Sequence, residues 1–359
     1  MEDLLTPDPG FWRNKRVFLT GQTGFKGTWL AFWLTHLGAT VRGYALAPAS
    51  ADNLSLNTNL ADRIESLHGD IRDAPALDAA MSGFAPDIVL HLAAQALVQK
   101  SYRDPVETFD INVTGTIRVL EAVRRCPTVR AVVVVTTDKC YENREWVWAY
   151  REIEALGGSD PYSASKACTE LAVAAWRVSF FDGTKVALAS ARAGNVIGGG
   201  DWAENRLIPD CIRAMTAGRT IEIRSPHATR PWQHVLEPLC GYLLLAERLW
   251  NDGAAVAEAW NFGPAMVDAK PVGDIVDRVT RLWGEDASWQ AVATQGGHEA
   301  GLLAVDAAKA QTRLLWQPRL RLQTALEWTI SWYKRHHSGH AALALVLDDI
   351  ARYERLGSA

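Results

Sequence analysis

Apolar and polar positions follow two rhythms along the first half of the chain. Residues 15–21, around Val17-Phe18-Leu19, form a short apolar run that ends in glycine, which suits a buried strand. Trp29, Leu30, Trp33, Leu34 and Leu37 then recur at helical spacing, with Gly38 placed to cap the helix. Residues 39–46 and 64–68 read as a second and a third strand, and 73–81 as a helix. Residues 87–92 form a fourth buried strand and 106–125 a long helix. The run 129–135 is the most β-branched in the chain and reads as a central strand. A helix over 163–181 and a strand over 186–191 continue the pattern.

Strand and helix thus alternate through about residue 192. That alternation predicts an α/β fold, a Rossmann-type doubly wound parallel sheet with helices on both faces. Beyond it, Gly198-Gly199-Gly200 and the Pro/Arg-rich segment 224–231 break the spacing, and helices are expected at 235–250, 271–283 and 320–337. The expected organisation is a dinucleotide-binding domain over 1–192 and a smaller mixed α/β substrate lobe over 193–359, with later segments free to return to the sheet.

The segment Thr20-Gly21-Gln22-Thr23-Gly24-Phe25-Lys26-Gly27 joins the first strand to the first helix. Glycines at this spacing let the chain turn tightly and let a pyrophosphate approach backbone N–H groups at a helix N-terminus. Gly21, Thr23, Gly24, Phe25, Lys26 and Gly27 are therefore candidate dinucleotide ligands. The second strand, Val41 to Ala47, offers no carboxylate to a ribose, so these residues do not separate NAD from NADP. Arg42 within it reads as a solvated charge. Asp70 ends the third strand beside Ile71; the two read either as an adenine contact or as a turn aspartate with its neighbour. The small residues of His91-Leu92-Ala93-Ala94-Gln95 let the backbone approach a cofactor, and His91 itself reads as a packed core histidine.

Composition narrows the class. The 359 residues are 48% hydrophobic and 22% charged, which fits a folded protein of one large or two modest domains. With 37 basic and 41 acidic residues, the net charge of -4 gives no electrostatic footprint for nucleic acid or an anionic membrane. Five scattered cysteines without a Cys-x-x-Cys point to reduced thiols of a cytoplasmic protein, with no metal site. The start, Met1 to Pro9, is acidic and proline-broken, unlike a secretion signal, and no apolar run approaches the roughly 18–20 residues of a membrane span.

Candidate catalysis gathers in two places. Tyr162 and Lys166 stand four apart at the start of a helix and share one face. A lysine there is expected to lower the tyrosine pKa and bond a nicotinamide ribose, so that the phenol removes a hydroxyl proton. Thr136-Thr137-Asp138-Lys139-Cys140-Tyr141 follows the central strand, with Asp138 24 residues before Tyr162. Open α/β sheets bind ligands at such strand ends. An acid and a base side by side, as in Asp138-Lys139, are what an elimination requires.

With Asp160 to Lys166, Ala191 to Trp202 and Arg230 to Val235, these motifs resemble the extended short-chain dehydrogenase/reductase superfamily, and within it the CDP-glucose 4,6-dehydratases. The likeness runs through to Trp316-Gln317-Pro318. It implies recycled NAD as cofactor and CDP-glucose as substrate, oxidised at C4, dehydrated across C5 and C6, and reduced at C6. It implies that Thr137 bonds the 4-hydroxyl, Tyr162 takes its proton, one of Asp138 and Lys139 removes the C5 proton, and Asp138 protonates the departing 6-hydroxyl. Which of the pair takes the C5 proton stays open, since a lysine base needs its pKa lowered by burial or by Lys166. The resemblance further places Asn195 and Arg206 at the pyrophosphate, Arg230 closing on the same group, Leu207 among the substrate-binding residues, Arg224 near the base, and Gln95 and Lys100 at the sugar. Residues 297–302 stand where relatives using other nucleotides carry an Arg/Tyr-bearing segment. A homodimer or homotetramer is implied, with 106–125 and 163–181 pairing with their copies. Three other readings are a 4-epimerase, a dehydratase for another nucleotide sugar, and a silent dinucleotide-binding regulator. Asp138-Lys139 argues against the first, and retention of Tyr162 and Lys166 against the last.

Overall fold

A computed structural model describes residues 5–284, 286–292 and 302–357. Strands β1 (Arg16–Thr20), β2 (Thr40–Ala45), β3 (Glu65–His68), β4 (Ile88–His91), β5 (Ala131–Val135) and β6 (Ala187–Ala193) alternate with helices. Then come β7 (Asn195–Ile197), β8 (Ile221–Ile223), β9 (Thr229–His234), β10 (Ala259–Phe262), β11 (Ala269–Pro271) and β12 (Trp289–Ala291). Seven strands form one sheet in the order β10-β6-β5-β4-β1-β2-β3, every pairing parallel. This is the expected doubly wound sheet. The chain reverses direction between β1 and β4, so a crevice opens at their C-terminal ends. β5 is buried along its whole length, which explains its run of four valines.

The long helix expected over 106–125 is locally unwound. Pro105–Phe109 and Thr116–Arg125 are α-helical, but Asp110–Gly115 is π-helical. The carbonyl of Asn112 there accepts bonds from the Thr116 and Thr169 hydroxyls at 2.7 and 2.8 Å, which disturbs the helical ladder. The Asn112 amide holds the Gln95 backbone and Ser165, so this turn braces both the β4 exit and the helix Pro161–Trp176.

The second half of the chain folds back onto the first. β10 pairs with β6 and extends the large sheet. The helix Ala342–Arg355 packs on the helix Phe25–His36, where Trp33 donates to Glu354 at 2.8 Å. Apolar residues from both halves form one core. Trp12, Trp29, Trp33, Trp260 and Trp316 are fully buried in it. The helices Leu207–Thr216 and Ala342–Arg355 were not expected. Pro209 makes the first look broken, yet it occupies the first turn, where no intrahelical N–H bond is lost. Arg42 is a second difference. It is half-buried, pairs with Glu65 at 2.6 Å, donates to the Ala80 carbonyl at 2.9 Å and lies over Phe84. It ties β2 to β3 and to the helix Ala74–Phe84 instead of facing solvent.

Among the described residues no helix is long and apolar enough to cross a membrane, the five cysteines are unpaired, and no metal-binding cluster occurs.

Candidate active site

A cleft of about 740 Å³ opens at the C-terminal ends of β1, β4 and β5 and continues to the 207–216 helix and β8. The glycine turn forms one end. Gly21 has φ +82°, and a Cβ there would stand 2.7 Å from the Ala93 nitrogen. A Cβ on Gly27 would stand 2.0 Å from the Gly21 carbonyl oxygen. Both glycines are therefore demanded by the fold. Gly24 differs: its backbone is extended, and a Cβ would meet only the Gly21 oxygen at 3.3 Å. It begins the 25–36 helix without a side-chain cap, which leaves first-turn N–H groups directed at the cleft. Gln22, which carried no role in the motif, anchors the turn by donating to the Leu67 carbonyl at 3.2 Å. Thr20 supports the β4 exit through bonds from the Leu92 and Ala93 nitrogens at 3.2 Å.

The helix 161–176 starts at Asp160, whose carboxylate caps the Ser163 nitrogen at 3.0 Å, with Pro161 in the first turn. Tyr162 and Lys166 thereby face the cleft beside Thr137 and Lys139, which emerge just after β5. The Thr137 hydroxyl bonds Asp138 Oδ1 at 3.0 Å, and Lys139 Nζ donates to Asn195 Oδ1 at 3.3 Å. Asp138 is fully buried and does not line the cleft. Its Oδ2 has no hydrogen-bond partner and stands 2.9 Å from where a Cβ on Gly194 would be. Gly194 lines the cleft, and a side chain there would crowd that oxygen.

Burial pushes the Tyr162 phenol up to about 12, against a hydrogen bond with Thr137 and the charge of Arg206. This corrects the expectation that Lys166 lowers it. The Lys166 ammonium instead donates to the Val135 carbonyl at 3.3 Å, and burial lowers its pKa to about 8 although Glu170 pulls it up. Lys26 also faces the cleft, where burial and then Arg206 lower its pKa to about 7. His91 is a core residue as expected, bonded to Thr20 and Thr116 and held near 3 by burial.

Beneath these groups lies a buried network that the sequence did not single out. Glu170 accepts bonds from Thr136, from Ser190 at 2.7 Å and from Arg192 at 2.7 Å. Arg192 also donates to the Tyr141 hydroxyl at 2.8 Å, which bonds Asn261 at 2.7 Å. Glu170 follows Lys166 by one helical turn, a spacing that could have flagged it.

The rest of the cleft wall carries Asn195, Arg206, Leu207, Arg224 and Arg230. Arg206 is fixed by Asp201 at 2.9 Å. Gly21, Gly24, Phe25, Lys26, Gly27, Leu92 and Ala94 also line it, whereas Thr23, Asp70, Ile71, Ala93 and Gln95 do not. Thr23 bonds the Leu46 carbonyl. Asp70 is gripped by the Arg72 side chain and backbone, and Ile71 is core. Gln95 turns inward to Thr108 and Leu97, and Lys100 pairs with Glu107 at 2.8 Å. Short polar side chains beside a turn satisfy the local backbone first. Residues 297–301 lie outside the described residues.

This parallel sheet, glycine turn and Tyr/Lys cleft are those of a nucleotide-sugar-modifying class of dinucleotide folds. A family model described as GDP-mannose 4,6 dehydratase matches residues 18–329, and the chain belongs to that family. Over 351 residues the chain is 50% identical to the CDP-glucose 4,6-dehydratase of Salmonella typhimurium, which covers 96% of this chain and 98% of the relative. Among solved structures it is similar to a dTDP-glucose 4,6-dehydratase from Bacillus anthracis in complex with NAD, with TM-score 0.75, 21% identity, and coverage of 92% of this chain and 99% of that one. A UDP-glucose 4-epimerase from Stenotrophomonas maltophila, with bound NAD and formylated UDP-arabinopyranose, matches with TM-score 0.79 and 21% identity over 91% of this chain and 100% of that one.

Proposed function

We propose that the protein is an NAD-dependent CDP-glucose 4,6-dehydratase, a hydro-lyase forming CDP-4-keto-6-deoxyglucose and water. The observation that carries this reading is the meeting of Thr137, Lys139, Tyr162 and Lys166 in one cleft with an open glycine turn at one end and Arg206 and Arg230 beyond. The residues fit the dinucleotide: Gly24 offers an uncapped helix start with an open face, the N–H arrangement that a pyrophosphate takes. Gly21, Gly24, Phe25, Gly27, Leu92 and Ala94 would hold it, with Lys166 toward its ribose. NAD, when bound there, supplies the hydride acceptor for C4 and the donor for C6.

The chain's own residues do the proton work. Tyr162 takes the 4-hydroxyl proton, and Thr137 bonds the same oxygen. Lys139, which faces the cleft, takes the C5 proton that the 4-ketone acidifies. Asp138, beside Gly194, is the proton donor to the departing 6-hydroxyl. Asn195, Arg206 and Arg230 grip the diphosphate; forked guanidinium groups suit it. The division at about residue 192 belongs to the same reading, with β10 returned to the first part. A 4-epimerase needs no acid–base pair beside Thr137, so the pair favours the dehydratase.

The protein is proposed to act in the cytoplasm, in deoxysugar biosynthesis of the lipopolysaccharide O-antigen kind. It is proposed to do so as a homodimer or homotetramer. Val106, Leu171 and Val178 are exposed on the helices that would pair. The test is mass spectrometry of CDP-, dTDP-, UDP- and GDP-glucose incubated with protein and NAD. Loss of water from CDP-glucose in preference to the others supports the reading; loss from none, with NAD bound, refutes it.

A further inference from the structure

With the sugar at Thr137 and Tyr162 and the diphosphate at Asn195, Arg206 and Arg230, one stretch of cleft is left for the base. It is lined by Pro209, Asp210, Ile223, Arg224, Ala228 and Val272. Pro209, Ile223, Ala228 and Val272 offer apolar contact to a flat ring. Asp210 and Arg224 supply the polar edge. Asp210 sits in the first turn of the 207–216 helix and is ion-paired with Arg213 one turn on. The charge of Arg224 also acts on it. The carboxylate is thus held by Arg213 next to a second guanidinium.

A carboxylate only accepts hydrogen bonds and a guanidinium only donates them. Cytosine presents an amino donor at C4 beside an acceptor at N3. Uracil and thymine reverse both, with a carbonyl at C4 and an N–H at N3. We infer that Asp210 is the residue that selects the base, accepting a hydrogen bond from the exocyclic amine of cytosine and repelling the C4 carbonyl of uracil or thymine. This rests on the reading of the protein as a nucleotide-sugar dehydratase and deepens it. Rejection by a mismatched polar group is stronger than rejection by shape alone.

The test compares wild type with Asp210→Asn, a near-isosteric change whose amide also donates. Calorimetry with CDP and UDP is run beside kcat/KM for CDP-glucose and UDP-glucose. The variant should bind CDP about tenfold more weakly, and its CDP:UDP ratio should fall about 100-fold, the scale of charged hydrogen bonds gained and lost. Asp210→Ser supplies the same comparison if the asparagine variant does not fold. An unchanged ratio overturns the inference, and so does a ratio that does not move with Asp210→Asn but moves with Glu222→Gln, a change at the other carboxylate on this stretch of cleft wall. Wild-type protein that binds UDP as well as CDP also overturns it. Wild-type protein that binds CDP over UDP but dehydrates neither sugar refutes the proposed reaction, and the binding ratio of the variant still decides the role of Asp210.

Discussion

At its β1 end the cleft is walled by main chain; at its β8 end it is walled by charged side chains. Gly21, Gly24 and Gly27 shape the first through what they lack, and the uncapped start of the 25–36 helix gives it polarity. Arg206, Asp210, Arg224 and Arg230 shape the second, with Arg206 held by Asp201 and Asp210 by Arg213. A backbone-built wall is rigid and fails when a side chain is added. A wall built of side chains fails gradually, one interaction at a time, and can be retuned.

The largest expected effect comes from adding one methyl group at the β1 end. Gly27→Ala puts a Cβ 2.0 Å from the Gly21 oxygen, a clash with main chain that cannot swing away. NAD binding should be lost beyond detection, and overpacking of about 1–3 kcal/mol should lower Tm by several degrees. Gly24→Val should keep Tm within about two degrees and weaken NAD about 100-fold, since its side chain enters the cleft and not the fold. Calorimetry and thermal melts on both variants test this. Equal damage from the two would break the distinction between structural and ligand-facing glycines.

Next is Tyr162→Phe, at the junction of the two ends. Loss of the proton acceptor should reduce turnover about 1000-fold with NAD affinity nearly unchanged. Single-turnover absorbance of reduced cofactor reads the oxidation step directly. Retained oxidation would remove Tyr162 from the reaction and leave Lys139 as the base to examine.

Most of the sheet and the β1 end were legible in the sequence, and the reason is physical. A buried parallel strand has to be apolar, and a turn that passes this close to backbone has to be glycine, so residue type alone betrays both. The β8 end was legible only by resemblance. Arg224 and Asp210 look like any surface charges until the fold sets them on a cleft wall. At Asp70 the sequence showed the strand-end carboxylate but not its local partner, Arg72 two residues on. Glu170 was missed because its partners, Thr136 after β5 and Ser190 and Arg192 on β6, lie in two segments distant from it in sequence.

Glu170 offers a test midway between the two ends. Glu170→Gln leaves Arg192 buried without its counter-charge, a loss of about 3–5 kcal/mol by analogy with broken buried pairs. The amide keeps one acceptor oxygen where the carboxylate had two, so Thr136, Ser190 and Arg192 compete for it and the adjoining Thr137 and Asp138 should drift. A fall of about tenfold in kcat with KM nearly constant, measured on protein confirmed as folded, is expected. A purely structural role would lower Tm and leave kcat per folded molecule alone.

The smallest effect is one of pH, and its sign follows from the same network. Burial holds Lys166 near 8, while Glu170 opposes the shift. Its charge is useful toward a ribose only when protonated, so the gain in kcat/KM that ionisation of Tyr162 brings as pH rises should flatten above that value, where Lys166 loses its charge. Removing the Glu170 charge removes the pull upward, so the flattening in Glu170→Gln should move to lower pH. Lys26, held near 7, loses its proton earlier still and faces the glycine turn. If the flattening tracks Lys26 and not Lys166, Lys26→Met should abolish it and Glu170→Gln should leave it in place. The two variants, each assayed from pH 6 to 10 with CDP-glucose, therefore say which cation the cleft depends on.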